Sequence, residues 1–167
     1  MKKLVLAATA ALSLAGCAQP AAITRAPAAA ALTGHVSKDK LAKGTRDTFV
    51  RAYTVDAQTG KRTEVVGATC ELRSDELAAR VITPQAVVLP KFKQSKDYED
   101  RGKPSDLVVT CSDEGLKGTT AVAAEDKSAS TATGGGIAAA LIVAAVSVAA
   151  ARSEPWDYPA NIKVDLK

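Results

Sequence analysis

The sequence predicts a mainly β protein: a small disulfide-bridged β-sandwich with an apolar C-terminal helix. Three observations lead to this fold class. Two stretches, residues 66–73 and 107–112, alternate between apolar and polar side chains, as half-buried strands do. Each stretch places one cysteine, Cys70 or Cys111, on its apolar face. Residues 134–151 carry no charged side chain and are nearly half alanine, which favours an apolar helix.

The N-terminus has the parts of a cleaved signal peptide. Two lysines follow the first methionine, and the uncharged apolar run that comes next, residues 4–14, is too short to span a membrane stably. The run ends in Leu14-Ala15-Gly16-Cys17, which resembles the lipobox of bacterial lipoproteins. The resemblance implies that residues 1–16 are removed and that Cys17 becomes an acylated, palmitate-bearing N-terminus. Ala18, rather than an aspartate, implies export to the outer membrane, with the protein facing the periplasm.

Acylation of Cys17 would leave two of the three cysteines, Cys70 and Cys111. An even pair of cysteines in an exported chain predicts a disulfide, and two free buried thiols are the alternative.

The chain divides into a signal peptide, a tether and one domain. Residues 17–44 are predicted to be the acylated cysteine and its tether, because residues 18–33 are rich in alanine and proline and contain hardly any charge. Residues 45–167 are predicted to form the sandwich domain, which includes the apolar segment 134–151. Strands are expected at residues 48–55, 66–72, 107–111 and 162–166, with an edge strand punctuated by Pro84 and Pro90 and a solvated polar loop over residues 91–105.

The middle of the chain contains, in this order, Gly67-Ala68, Thr83-Pro84, an apolar strand, the stretch 107–111 and Gly115. This layout resembles that of PEGA-type envelope modules. The resemblance covers about residues 65–115 and implies a small β-sandwich. This chain departs from the pattern because it continues for some fifty residues after that glycine.

The apolar segment 134–151 has three possible interpretations: a packed helix or glycine-started hairpin, a surface for a partner or for self-association, and a membrane-inserted helix. Gly136, Ala140 and Ala144 have the small-xxx-small spacing that lets helices approach closely in lipid. A single membrane crossing, however, would separate the strand at 162–166 from the rest of the sandwich.

Trp156 and Tyr158 follow this segment and have two interpretations. Aromatic residues often flank membrane segments, so both side chains could contact lipid or a partner. The simpler interpretation is that both pack into the small core.

Composition and residue types argue against several functions. Without Lys2 and Lys3, 20 basic residues face 18 acidic ones (22 − 2 = 20), and aromatics make up 4% of the chain, so a nucleic-acid partner is not expected. His35 is the only histidine, which makes a Ser/His/Asp set or a multi-histidine metal site improbable. Carboxylates at 97, 99 and 100 alternate with basic residues and are expected to be solvated. No cofactor and no enzymatic activity are predicted.

The sequence therefore predicts a lipid-anchored cell-envelope protein with a structural or protein-interaction role, accessory to an envelope assembly. Its partners would be the membrane, through the lipid on Cys17, and another envelope component. The alternative is a membrane-active or oligomerising protein that inserts residues 134–151 into a bilayer.

Overall fold

A computed structural model describes residues 19–34, 36–126 and 154–167 of the chain. The strands, numbered in chain order, are β1 (Ala28–Ala29), β2 (Ala31–Leu32), β3 (Leu41–Val55), β4 (Arg62–Val65), β5 (Thr69–Arg73), β6 (Leu77–Ile82), β7 (Gln85–Phe92), β8 (Leu107–Asp113), β9 (Leu116–Val122), β10 (Glu125–Asp126), β11 (Trp156–Asp157) and β12 (Asn161–Leu166). Short 3₁₀ turns lie at Lys38–Lys40 and Glu99–Gly102.

The strands form two sheets that share one core. Sheet 1 has the order β10-β11-β7-β3-β12, with β1 added beside β7 and β4 beside β3. Sheet 2 has the order β2-β6-β5-β8-β9. Neighbouring strands are antiparallel, except that β12 runs parallel to β3 and β1 parallel to β7. The predicted mainly β, disulfide-bridged fold is confirmed.

The core is built from the alternating positions of both sheets. Sheet 1 contributes the buried side chains of Val50, Ala52, Val87, Leu89, Ile162, Val164 and Leu166, and sheet 2 contributes Cys70, Leu72, Val81, Leu107, Val109 and Cys111. The predicted inward faces of 107–111 and 162–166 are confirmed. Val66 is an exception: it is 65% exposed, because the chain bends at Gly67 (φ +103°) as it passes from β4 to β5.

The predicted apolar C-terminal helix is wrong. The described parts of the chain contain no α-helix, and residues 154–167 instead contribute β11 and β12. The alternation of Ile162, Val164 and Leu166 with polar residues suits a strand that buries one face, and β12 buries it beside β3. Residues 134–151, to which the helix was assigned, lie outside the described residues. Within the described ranges, no helix is long and apolar enough to span a bilayer.

The expectation of an edge strand at Pro84 and Pro90 is also wrong. Strand β7 lies between β3 on one side and β1 and β11 on the other. Pro84 lies in the turn before β7, and Pro90 is paired with Thr45, next to a register shift in β3. A proline lacks the N–H that a regular ladder uses, and an irregular position of this kind accommodates it inside a sheet.

The N-terminal arm, residues 19–33, is not the free tether that its composition predicts. Its strands pair with both sheets, β1 with β7 and β2 with β6. The Ala30 N–H donates to Val88 O at 3.2 Å, and the Thr33 N–H donates to Glu76 O at 2.9 Å. Edge pairing of this kind uses main-chain groups, so small alanine side chains do not prevent it.

The sandwich has two ends. The hairpin end carries the β3–β4 turn (residues 56–61), the bend at 66–67, the β6–β7 turn (83–84) and the β8–β9 turn (114–115). The loop end carries the polar loop 93–106 and the β5–β6 turn (74–76). At the loop end, the described chain stops at Asp126 and resumes at Glu154, both next to the paired strands β10 and β11.

Candidate functional site

An ion pair between Arg51 and Glu64 lies at the hairpin end, where the N-terminal arm reaches the domain. Arg51 Nη1 donates to Glu64 Oε1, and the side chains are only 17% and 13% exposed. The hairpin brings them together: Tyr53 lies opposite Glu64, and Arg51 is on the same face two residues earlier. Diagonal neighbours on one face of a sheet are within reach of long side chains.

This Arg51–Glu64 pair holds both polar main-chain groups of Ala21. The Ala21 N–H donates to Glu64 Oε2 at 2.8 Å, and Arg51 Nη1 donates to Ala21 O at 3.0 Å. Hydrogen bonds to ionised groups are roughly twice as strong as those between neutral groups. The pair therefore fixes the arm to the domain at a point four residues after Cys17.

The arm is held again farther along its length. Gln85 Nε2 donates to Ala26 O at 2.7 Å, while Oε1 of the same side chain accepts the Ile82 N–H at 2.8 Å. The next residues of the arm form β1 and β2, which pair with β7 and β6 respectively. Since β1 is parallel to β7, the arm traced back towards the N-terminus runs to the hairpin end.

The predicted disulfide is confirmed. Cys70 on β5 and Cys111 on β8 lie directly opposite each other, and their sulfur atoms are joined at 2.01 Å. Both residues are fully buried between the sheets. The bridge therefore belongs to the core of the domain.

Trp156 and Tyr158 lie at the loop end, and both contact the protein itself. Tyr158 is buried, packs edge-to-face on Phe92 with ring centroids 6.3 Å apart, and donates its hydroxyl to Ser105 O at 2.6 Å. Burial raises the pKa of Tyr158 well above its usual value. Trp156 is partly buried, and its Nε1 donates to Arg101 O at 3.3 Å.

The other residues singled out by the sequence fall beyond the described ranges. They are the lipidation candidate Cys17, the lone histidine His35, and the small residues of the apolar segment, Gly136, Ala140 and Ala144.

A cavity of about 350 Å³ opens at the loop end, between the polar loop 93–106 and the 3₁₀ turn at Lys38–Lys40. Asp97, Glu99 and Asp100 line it, as the sequence placed them in one loop, and Lys40 and Lys103 lie among them. Across the described part of the chain, no group of three or more histidine, cysteine or carboxylate side chains is arranged to hold a metal ion.

Glu76 is the most strongly hydrogen-bonded carboxylate beside this cavity. Ser105 donates to it from both its N–H (3.0 Å) and its hydroxyl (2.6 Å), and the Ser74 hydroxyl donates at 3.0 Å. Burial raises the pKa of Glu76, but these hydrogen bonds to the charged form outweigh burial, and the pKa falls below its usual value of 4.5. The carboxylate thereby joins the β5–β6 turn to the loop before β8.

We expect the Glu76→Gln variant to be less stable than the wild type at pH 7. The depressed pKa means that the contribution of Glu76 is present above its unfolded pKa of 4.5 and is lost as the pH falls through the lower folded value. Urea unfolding of both proteins between pH 7 and pH 3 should therefore show the difference narrowing below about pH 4.5. Glu99→Gln, at an exposed position on the other side of the same cavity, is the matched control, and a Glu76→Gln difference independent of pH would contradict the assignment.

The sequence analysis missed the Arg51–Glu64 pair. The closeness of Arg51 and Glu64 could have been predicted, because the Thr59-Gly60 turn sets a hairpin register that puts Glu64 opposite Tyr53. The contact of the pair with Ala21 has no such signal in the sequence, since the arm contributes only main-chain atoms.

Comparison with known proteins gives no match: no family model, no curated protein and no solved structure is significantly similar to this chain.

Proposed function

We propose that this chain is a lipid-anchored protein of the bacterial cell envelope, attached through acyl chains on Cys17, with a structural or protein-interaction role in an envelope assembly. The proposed location is the outer membrane, with the sandwich in the periplasm.

The observation that carries this proposal is the hold of the Arg51–Glu64 pair on Ala21. The lipobox-like quartet ends at residue 17, and the domain takes hold of the chain at residue 21. An anchor on Cys17 would thus be connected to the folded domain by a very short segment rather than by a long flexible linker. Ion-paired side chains that bind both main-chain groups of Ala21 are well suited to that coupling.

Two further properties support the proposal. The buried Cys70–Cys111 bridge suits an oxidising compartment such as the periplasm. Acyl chains contribute roughly 0.8 kcal/mol per buried methylene, so two or three chains on one cysteine hold a domain firmly at a membrane.

An interaction role is supported by the arrangement of the two ends. The arm leads to the hairpin end, whereas the cavity and the polar loop lie at the loop end. A partner in the periplasm could therefore reach the loop end while the anchor is engaged. We propose another envelope protein as this partner.

We expect labelled palmitate to be incorporated into the wild-type protein and to be absent from Cys17→Ser. The reason is that only the thiol of Cys17 would accept the acyl group at this position. Ala18→Ser, which changes the neighbouring residue and keeps the thiol, is the matched control and should retain the label. Labelling of cells followed by gel analysis of the immunoprecipitated protein measures this directly.

Carbonate extraction gives a second measurement. Cys17→Ser, exported with a conventional signal peptide, should be released from membranes. Palmitate label on Cys17→Ser would overturn the anchor assignment. Firm membrane retention of the unlabelled variant would instead favour insertion of residues 134–151, which is the alternative function.

A further inference from the structure

We propose that the hairpin end of the sandwich faces the bilayer that holds Cys17, and that the loop end points away from it. This orientation rests on the proposed acylation of Cys17. The bilayer surface is the partner of the hairpin end, and the Arg51–Glu64 pair is the device that sets the orientation.

The first argument is the length of chain between Ala21 and Cys17. The two residues are four positions apart. A fully extended chain spans at most about 3.6 Å per residue, so Cys17 lies within about 14 Å of Ala21. If the arm were held only from Ala26 onward, where Gln85 binds its carbonyl oxygen, the nine positions from Cys17 to Ala26 could span about 32 Å, and the domain could then take many orientations. The contact at Ala21 removes that freedom.

The second argument is the length of the sandwich. Counted along β7 and then β3, ten positions separate the two levels: seven from Phe92 at the loop end to Gln85, and three from Val50, the partner of Gln85, to Tyr53. At about 3.3 Å per residue, the two levels are roughly 33 Å apart. That distance exceeds the reach of the short linker, so the domain cannot stand on the bilayer on its loop end while Ala21 is held.

The third argument is that the outer face of sheet 1, which is the other surface near Ala21, is charged. It carries the Arg51–Glu64 pair and a second ion pair, Arg62–Asp165, at 2.7 Å. Exposed Lys163 and Asp47 lie on the same face. Pressing this charged face onto a bilayer would cost desolvation free energy, which disfavours a flat orientation.

Two exposed apolar side chains lie at the hairpin end. Val66 at the β4–β5 bend is 65% exposed, and Leu116 after the β8–β9 turn is 38% exposed. The charged residues around them nearly balance: three lysines (Lys61, Lys117, Lys167) face three carboxylates (Asp56, Asp113, Glu114), Arg62 is paired with Asp165, and Arg25 of the arm adds one positive charge. The orientation is therefore expected to come from the short linker and shallow apolar contact, and to depend little on anionic lipid.

The test uses the full-length lipidated protein carrying one additional cysteine. Val66→Cys and Leu116→Cys probe the hairpin end, Lys96→Cys probes the loop end, and Asp47→Cys probes the outer face of sheet 1. Each added thiol carries an environment-sensitive fluorophore, since Cys70 and Cys111 are buried in their disulfide. The proteins are reconstituted into phosphatidylcholine vesicles, with or without phosphatidylglycerol, that contain a headgroup-attached quencher lipid.

We expect the probes at 66 and 116 to lose most of their fluorescence, and the probes at 96 and 47 to lose little. Equal or stronger quenching at 96 would overturn the orientation, and so would stronger quenching at 47, which would show the flat arrangement. Flotation of the vesicles separates this result from the proposed anchor. A protein that does not float with them contradicts the anchor itself, whereas a protein that floats with the wrong quenching pattern contradicts only the orientation.

The part played by the ion pair is tested with Arg51→Ala/Glu64→Ala. Releasing Ala21 lengthens the linker, so the contrast in quenching between positions 66 and 96 should shrink while flotation is unchanged. The matched control is Arg80→Ala/Glu71→Ala, which removes an exposed pair of sheet 2 at 2.9 Å and should keep the contrast. An unchanged contrast in the first double variant would overturn the role of the pair.

Discussion

Replacing both Cys70 and Cys111 with alanine is expected to lower the free energy of unfolding by about 4 kcal/mol. The bridge joins residues 41 positions apart, and it therefore lowers the conformational entropy of the unfolded chain. A small domain is stable by only about 5–15 kcal/mol in total, so this loss would leave a marginal fold. Alanine is the suitable replacement because a serine hydroxyl buried at either position would add its own desolvation cost.

Urea unfolding monitored by circular dichroism measures this loss. The reduced wild type should unfold at nearly the same urea concentration as the double alanine variant, because both lack the same constraint on the unfolded chain. A loss below about 1 kcal/mol would contradict the prediction, since that is no more than an average point substitution costs. The result also bears on the proposed location, because the stability that the bridge provides is available only where the thiols are oxidised.

Some strands were predictable because each has one buried and one exposed face. The stretches at 107–111 and 162–166 alternate without interruption, and their apolar positions are buried as expected. A shift by one residue would turn every apolar side chain towards solvent, so the pattern fixes the face strongly. At 66–72 the pattern holds only from Ala68 onward, because Gly67 changes the direction of the chain just after Val66.

Pairing partners were less predictable than the strands themselves. Strand β12 pairs with β3 in parallel, joining residues such as Ile162 and Val50 that are more than one hundred positions apart. No local pattern encodes that choice. The alanine- and proline-rich arm misled for a related reason: its order comes from main-chain hydrogen bonds to strands folded elsewhere, not from apolar surface of its own.

The candidate site, too, was predictable only in part from the sequence. Cys70 and Cys111 could be paired from their count and their inward positions. Arg51 and Glu64 could be placed on one face from the hairpin register, but their ligand, the main chain of Ala21, leaves no trace in residue types. A site that binds main-chain groups is therefore visible only once the fold is known.

Gly118→Ala is expected to destabilise the domain by about 1–3 kcal/mol or more, which is the usual cost of overpacking. Gly118 lies on β9 where the two sheets meet, and its neighbour Lys117 exchanges main-chain hydrogen bonds with Lys167 at 3.1 and 3.0 Å. A Cβ at this position would collide with the Asp165 carbonyl oxygen and lie 2.8 Å from the Asp165 carbonyl carbon. Because both atoms belong to the main chain, only a shift of β9 or β12 could relieve the collision.

Gly34 provides a matched control for Gly118→Ala. Gly34→Ala adds the same methyl group where no atom lies within 4 Å, so its free energy of unfolding should stay within about 0.5 kcal/mol of the wild type. Urea unfolding of the two variants isolates the effect of crowding from that of the methyl group. Equal stability of the two would mean that β12 can move away from β9 at no cost, and that the two sheets are not held together at this point. A selective loss in Gly118→Ala would show that the close approach of β9 and β12 closes the sandwich along this side.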